Sequence, residues 1–450
     1  MSNNNYIVAI EIGSSKISGA VGVRTYEGIK VAAYASEPVN GFIAKGVVRN
    51  VDETGNSLTS IINRLETQLN GEAIERAYIA FGGTSLKSID SVVTKDFDEY
   101  TKITQEIIDE MASENDNTFV VPEGYQKIQV IEQEYKLNGD LSTSPIGMHT
   151  RHIECNYLNI IIKEQYLKQL EESFEMSATE IAGCYCGARI EGGIILQEEE
   201  KRNGCALVNI GSETTTLTIY TNGLLRKMVV IPLGSDNITK DISSEGISHQ
   251  EAEQLKIFKG YSSKNNDNSP ISTEQTDLII SARMTEILQN VKYRIENSGC
   301  MINRIVFSGG GSNLKNIIML IEENIPNIKT RIATEMSKII NSEENIMLTR
   351  DTITPTLFGL LNIGKENCCK IVEEPKKEEM PAELLFPDEE KKEEPVEKKK
   401  EPVKKEEKEK EKKKKERNMM GDLFSNFENL AKAFVGRITE DPEENAMNDE

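Results

Sequence analysis

Apolar and polar positions alternate at the start of the chain and predict two strands, residues 6–12 and 17–23. They are joined by the short turn Gly13, Ser14, Ser15, Lys16, a hairpin pattern. A third run of the same kind covers 29–35, followed by a loop at 36–41 and the segment 42–49. Over 51–69 the period lengthens to that of a helix. Leu58, Ile61, Ile62, Leu65 and Leu69 recur on one face, with Asp52 or Thr54 as the cap. Residues 77–81 return to strand and end in Gly82 and Gly83. Three strands, a helix and a strand in this order predict a mixed α/β sheet rather than a Rossmann unit.

From 84 to 162 the pattern changes. Val92 and Val93 sit in a polar stretch, 103–112 reads as a helix, and 128–135 and 156–162 read as short strands around a turn cluster at 143–148. This predicts a small α+β insertion. A helix over 166–175 and a stretch rich in glycine and small residues at 183–193 come next. Residues 205–220 then repeat the opening, strand, turn and strand, and continue through Asn222 and Gly223 into a further strand at 224–231. Glu11, Ile12 and Gly13 match Asn209, Ile210 and Gly211, about 200 residues apart, which predicts an internal repeat of two similar domains. A cleft between such domains is a common place for a nucleotide. Further on lie a short helix (251–258), a polar loop (261–270) and a long helix (276–295). A strand from Ile305 to Ser308 meets Gly309, Gly310 and Gly311, and a helix resumes over 314–323. A short apolar helix, 355–364, closes the globular part.

Beyond it the composition shifts. Residues 373–417 are almost entirely Lys, Glu and Pro with balanced charge, too poor in apolar surface to fold alone, and read as an extended tether. Leu384, Leu385 and Phe386 read as a short docking motif or, in preference, as a gap in that charge run. Hydrophobicity then returns. Leu423, Phe424, Phe427, Leu430, Phe434 and Ile438 recur at helical spacing and give residues 418–438 one broad apolar face. A membrane interface, a partner's groove and the main domain are the surfaces that can cover it, with the membrane first. Lys412 to Lys415 add attraction to anionic lipid, whereas Asp422 and Glu428 offset Lys432 and Arg437, and the last residues, 439–450, are acidic.

Composition narrows the chemistry. A formal net charge of −21 argues against a general nucleic-acid binder. The seven cysteines show no metal-ligand spacing and fit reduced thiols in a cytosol. No leader pattern opens the chain and no apolar run reaches membrane-spanning length, so the expected compartment is the cell interior. In the first turn, Gly13 permits close approach of a ligand, Ser14 and Ser15 add hydroxyl donors, and Lys16 adds a cation. Successive N–H groups of such a turn make a concavity for phosphate oxygens, although an ordinary hairpin fits the same pattern. The glycine triplet likewise offers bare backbone and a helix N-terminus to a nucleotide's sugar or phosphates, or is a tight strand–helix turn.

Taken in order, these motifs resemble the actin/Hsp70/sugar-kinase superfamily and, within it, the bacterial cell-division family FtsA, across residues 6–365. Glu11 to Lys16 is similar to the first phosphate loop. Lys45 to Val48 is similar to the family's KGVV signature, and Thr143 to Met148 to the turn of its inserted subdomain. Asn209 to Thr215 is similar to the second phosphate loop, and Ser308 to Asn313 to the adenosine motif. The resemblance implies an α/β, actin-like (ribonuclease H-like) two-domain ATPase fold with a small inserted α+β subdomain, a disordered linker and a terminal amphipathic helix. Domain 1 would take 1–83 and 163–202, the insertion 84–162, domain 2 203–372, the linker 373–417 and the helix 418–438. It implies ATP and Mg²⁺ as cofactors, with Gly13, Ser14, Ser15, Lys16, Gly211, Ser212, Thr214, Gly309, Gly310, Gly311 and Ser312 at the nucleotide, and Glu253 and Lys256 at its ribose and adenine. It implies a protein that polymerises with itself and tethers FtsZ filaments, through their C-terminal tail, to the inner face of the cytoplasmic membrane at the division site. The tail would bind within 241–300, and other division proteins would be recruited.

Two departures bear on catalysis. The superfamily carries Asp before Ile-Gly in both loops, acting through Mg²⁺ and its waters. Here Glu11 keeps the charge but moves the carboxylate by about 1.5 Å, and Asn209 has none. In the second loop Glu213 either compensates for that loss or repels the phosphate. Glu11, through water to Mg²⁺, Asn209 and Glu213 are thus the candidate catalytic positions, and the expectation is a nucleotide-binding scaffold with slow or absent hydrolysis. A small-molecule kinase of the same superfamily and a pilus- or shape-determining relative are the alternatives.

Overall fold

The computed structural model describes residues 5–26, 28–69, 72–258, 271–333, 340–342 and 354–371. The polar loop, the charged linker, the terminal helix with its apolar face and the acidic tail lie outside the described residues.

The first large sheet runs, edge to edge, Glu180–Cys186, Arg76–Phe81, Tyr6–Ile12, Lys16–Thr25, Gly28–Pro38 and Ile340–Ser342. Its centre reads as a continuous apolar run because both faces are covered, and Val8, Ala9 and Ile10 are fully buried. Tyr6–Ile12 pairs antiparallel with Lys16–Thr25 and parallel with Arg76–Phe81. The second large sheet runs Leu224–Ile231, Thr215–Thr221, Cys205–Ile210, Arg304–Ser308 and Lys329–Ile332. Here too three antiparallel strands precede two parallel ones. Apart from the short edge strand Ile340–Ser342, the two sheets therefore have the same strand order, which is the repeat seen in the sequence.

Two helices join the sheets. Helix Pro355–Ile363 packs on the first sheet, and helix Gly187–Ile195 crosses that helix and reaches strand Thr215–Thr221. They cross closely because Gly359 has no side chain: a Cβ there would come within 2.2 Å of Ile190. Thr354 caps the former helix by accepting the Leu357 amide at 3.1 Å, with Pro355 in the first turn, where a missing N–H costs nothing.

The insertion is a four-stranded sheet, Asp140–Ser142, Tyr125–Leu137, His149–Lys163 and Lys87–Lys102, covered by helix Gln105–Thr118. Val93, Ile108, Met111, Tyr135, Ile153 and Tyr157 form its core. It docks on edge strand Leu224–Ile231 of the second sheet. Ser88 Oγ donates to Met228 O at 3.0 Å, and Gln133 Nε2 to Leu225 O at 3.1 Å. Arg226 answers with a bond to Gln133 Oε1 at 3.0 Å and an ion pair to Glu134.

Several expectations need correction. The polar stretch around Val92 is a long strand, Lys87–Lys102, whose outer face is charged and whose inner face is only partly buried. The helix expected at 103–112 runs Gln105–Thr118. The first long helix, Val51–Gln68, is capped by Asn50, which accepts from the Glu53 amide at 3.2 Å, rather than by Asp52 or Thr54. The helix after the glycine triplet starts at Ile317, not at 314, because a 3₁₀ turn over Gly310–Asn313 intervenes.

Candidate functional site

The two hairpin turns close in the same way. Gly13 N–H donates to Lys16 O at 3.1 Å, and Gly211 N–H donates to Thr214 O at 2.8 Å. A Cβ on Gly13 would approach Lys16 O to 2.9 Å, and one on Gly211 would approach Thr214 O to 3.0 Å. Each tip leaves its middle residues at the surface: Ser15 is exposed, and Ser14, Ser212 and Glu213 are half-buried. The second turn rests on helix Ser235–Ser243, whose Ser235 and Asp236 amides donate to Gly211 O and Ser212 O at 2.9 and 2.7 Å.

One short segment spans both turns. Gly46 N–H donates to Ser14 Oγ at 2.7 Å, and the neighbouring Lys45 N–H donates to a Glu213 carboxylate oxygen. Both residues have positive φ, and the segment lies so close to Gly83 that a Cβ there would sit 2.3 Å from Lys45 O. Lys45 and Gly46 enter the sequence reading only by resemblance; their link between the turns is a tertiary fact. Glu213 also lies 3.5 Å from Lys240, a cation that nothing in the sequence singles out, which is paired in turn with Asp236 at 2.8 Å.

The glycine triplet follows strand Arg304–Ser308, beside the second turn. Gly309, at φ +80°, lies against Asn209 Oδ1 and Ile210 O, where a Cβ would come within 2.5 Å of each. Gly310 is exposed and faces open space. Ser312 is buried, with its hydroxyl donating to Gly309 O at 2.7 Å. A cavity of about 440 Å³ adjoins it, lined by Ser312, Asn313, Leu314, Ile318, Met319 and Ile332. A cavity of about 560 Å³ lies against the carboxylates of helix Gln105–Thr118, a poor surface for an anion.

Glu253 and Lys256 form a supporting network. Lys256 Nζ is 2.7 Å from Glu253 and donates to Thr239 Oγ1 at 2.9 Å and Ser235 O at 3.2 Å. Since Ser235 also bonds Gly211 O, the lysine, itself buried, buttresses the second turn from behind.

The carboxyls are unevenly arranged. Glu11 sits opposite Ser18 in the first hairpin and accepts the Thr354 hydroxyl. Burial pushes its carboxyl above the usual range, against the pull of Thr354, Lys16 and Thr356. Asn209, its counterpart in the second sheet, donates from Nδ2 to Glu191 at 2.7 Å. Glu191 also accepts the Ser308 hydroxyl and is 3% exposed. Burial pushes its carboxyl up to about 7; its two hydrogen bonds oppose the rise, and the charge of Glu11 adds to it. In sequence Glu191 is hidden inside a stretch that reads only as glycine and small residues. Among the described residues no cluster of three or more acidic, His or Cys side chains could hold a metal alone.

Two sheets of the same strand order, each carrying such a turn, with a four-stranded insertion that interrupts the first half in sequence, make this an actin-like ATPase fold. In fold it is similar to a chain of the "PilM-PilN type IV pilus biogenesis complex", with a TM-score of 0.57 at 14% identity over 79% of this chain and 97% of that one. The family model "Cell division protein FtsA" matches residues 206–349, and "SHS2 domain inserted in FTSA" matches 83–161. The cell division protein FtsA of Bacillus subtilis is 26% identical over 386 residues, 82% of this chain and 85% of that one. That of Porphyromonas gingivalis is 26% identical over 340 residues, 70% of each. The chain belongs to the FtsA family of cell-division proteins.

Proposed function

We propose that this chain is an ATP-binding scaffold of the division site that polymerises and tethers FtsZ filaments to the cytoplasmic face of the cell membrane. The observation that carries the nucleotide half is the pair of like turns, both reached by the Lys45–Gly46 segment. ATP fits the residues present: bare backbone at Gly13, Gly211 and Gly310, hydroxyls at Ser14 and Ser15, and Lys16 as the cation. A bound Mg²⁺ would be held by the nucleotide's phosphates and by water, with Glu11 as the residue that would reach it through water. When bound, the ion neutralises phosphate charge.

Slow or absent hydrolysis follows from the carboxyls. Asn209 carries no charge, Glu213 is engaged by the Lys45 amide and Lys240, and Glu11 is held by Thr354. None of them stands free to orient an attacking water. The membrane half rests on the sequence pattern of residues 418–438. A single amphipathic helix binds marginally, and self-assembly multiplies the attachments. No described helix is long and apolar enough to cross a membrane. By the family resemblance, the FtsZ tail would bind within 241–300, and later division proteins would join at the septum.

Co-sedimentation with anionic liposomes tests the whole reading. The full chain should pellet with the vesicles, more so with ATP, and should carry FtsZ down with it. A chain ending before Met419 should stay in the supernatant with its ATP binding intact. Equal pelleting of the shortened chain would contradict the anchor, and failure to carry FtsZ would contradict the tether.

A further inference from the structure

The nucleotide reading gives strands Cys205–Ile210 and Arg304–Ser308 the task of presenting the second turn and the glycine triplet. We propose that Glu191 is the positioning residue that fixes these two strand ends against each other and thereby sets nucleotide affinity; this rests on the nucleotide reading. Its carboxyl comes from a third element, helix Gly187–Ile195, and bridges both strands: one oxygen accepts Asn209 Nδ2 at 2.7 Å, the other accepts Ser308 Oγ. Asn209 and Ser308 are partners in the parallel register, so a single carboxyl reaches both. The other end of the Asn209 amide is wedged against the triplet, since a Cβ on Gly309 would come within 2.5 Å of Asn209 Oδ1. Glu191 therefore fixes the amide that Gly309 packs on. Without it, Asn209 can turn, and the triplet loses its support.

Fold stability alone does not account for a carboxyl here. Glu191 is almost fully buried and, among its hydrogen-bond partners, meets only the neutral donors Asn209 and Ser308. Burying a carboxyl this way costs more than burying a neutral side chain of the same shape. The helix that carries it is also well placed to transmit position. Gly192 packs on the Tyr220 hydroxyl, and Ile190 packs on Gly359 of the helix that Thr354 caps. Thr354 in turn bonds Glu11, the strand residue next to the first turn. A continuous set of contacts thus runs from Glu191 to both turns.

Equilibrium binding of ATP with MgCl₂ to the full chain, measured by calorimetry, tests the clamp. Glu191→Leu fills similar space but strands the Asn209 and Ser308 donors, and should weaken ATP binding about tenfold or more. Glu191→Gln keeps both contacts, since its oxygen accepts from Asn209 and its NH₂ donates to Ser308 Oγ, and should stay within about threefold of wild type. A merely structural carboxyl would not give this separation between two variants that both melt cooperatively. Ser308→Ala removes half of the clamp and should lose about threefold to tenfold. A folded Leu variant with wild-type affinity overturns the proposal, as does a Gln variant as weak as the Leu one. If the Leu variant does not fold, Ser308→Ala decides, with wild-type affinity overturning the clamp. A wild-type chain that binds no ATP overturns the nucleotide reading and the clamp with it; an ATP-binding wild type with an unaffected Leu variant overturns the clamp alone.

Discussion

Glu191 and Glu200 leave the same connection between the two large sheets, and both are nearly sealed from water, yet their surroundings are opposite. Glu200 lies in the first turn of helix Glu198–Asn203 and meets two guanidiniums: Arg331 Nε and Nη2 donate to its two oxygens at 2.9 and 2.7 Å, and Arg304 Nη1 adds a third bond at 3.0 Å. Burial raises its carboxyl, but Arg331, the Gln197 amide and Arg304 more than offset this and hold it at about 2. Glu191 meets an amide and a hydroxyl, and burial carries it up to about 7. Glu200 is a charged staple between the connecting helix and two strands of the second sheet. Glu191 lies beside the turn and the triplet, where a fixed geometry matters more than a strong bond. The partner, not the burial, decides which of the two jobs a carboxyl does.

This difference can be broken in two ways. The larger effect should come from Glu200→Ala, which leaves Arg304 and Arg331 without their shared anion. A loss of about 2–4 kcal/mol in urea unfolding at pH 7 is expected. Glu200 is held below its unfolded value, so its contribution is present above about pH 4.5 and disappears as pH falls through about 2, and the variant and wild type should converge there. The smaller effect should come from Glu191→Gln, with the opposite slope. The Glu191 carboxyl is raised in the folded state, so its contribution is complete below about pH 4.5 and is lost as pH rises through about 7. The Gln variant should match wild type near pH 4 and exceed it by about 1–3 kcal/mol at pH 8, read from paired unfolding curves. Parallel pH profiles for the two variants would erase the contrast.

Much of the frame is legible in the residues. The two hairpins announce themselves by alternation around Gly13 and Gly211, and the helix over Val51–Gln68 by its apolar stripe. These signals are local, which is why they survive without tertiary context. Strand Lys87–Lys102 does not show because charged residues alternate with a half-buried face, so its hydrophobic period is faint. The cap of the first long helix is misplaced because Asp52 and Thr54 compete in sequence with Asn50, and only the bond to the Glu53 amide decides. Glu191 is invisible for a deeper reason. Nothing in its own segment marks it, and its meaning depends on Asn209, on Ser308 and on the glycines that let its helix come close. Lys256 stands out by resemblance, yet its bonds run to Ser235, Thr239 and Glu253 behind the second turn.

The central claim, that paired turns hold ATP and leave it largely intact, is tested most directly by a single-turnover experiment. The full chain in excess over γ-labelled ATP, with Mg²⁺, is passed through a desalting column and the label is followed with time. The account predicts that label elutes with the protein and remains ATP over many minutes. Label that never travels with the protein, or that appears promptly as free phosphate, would contradict it.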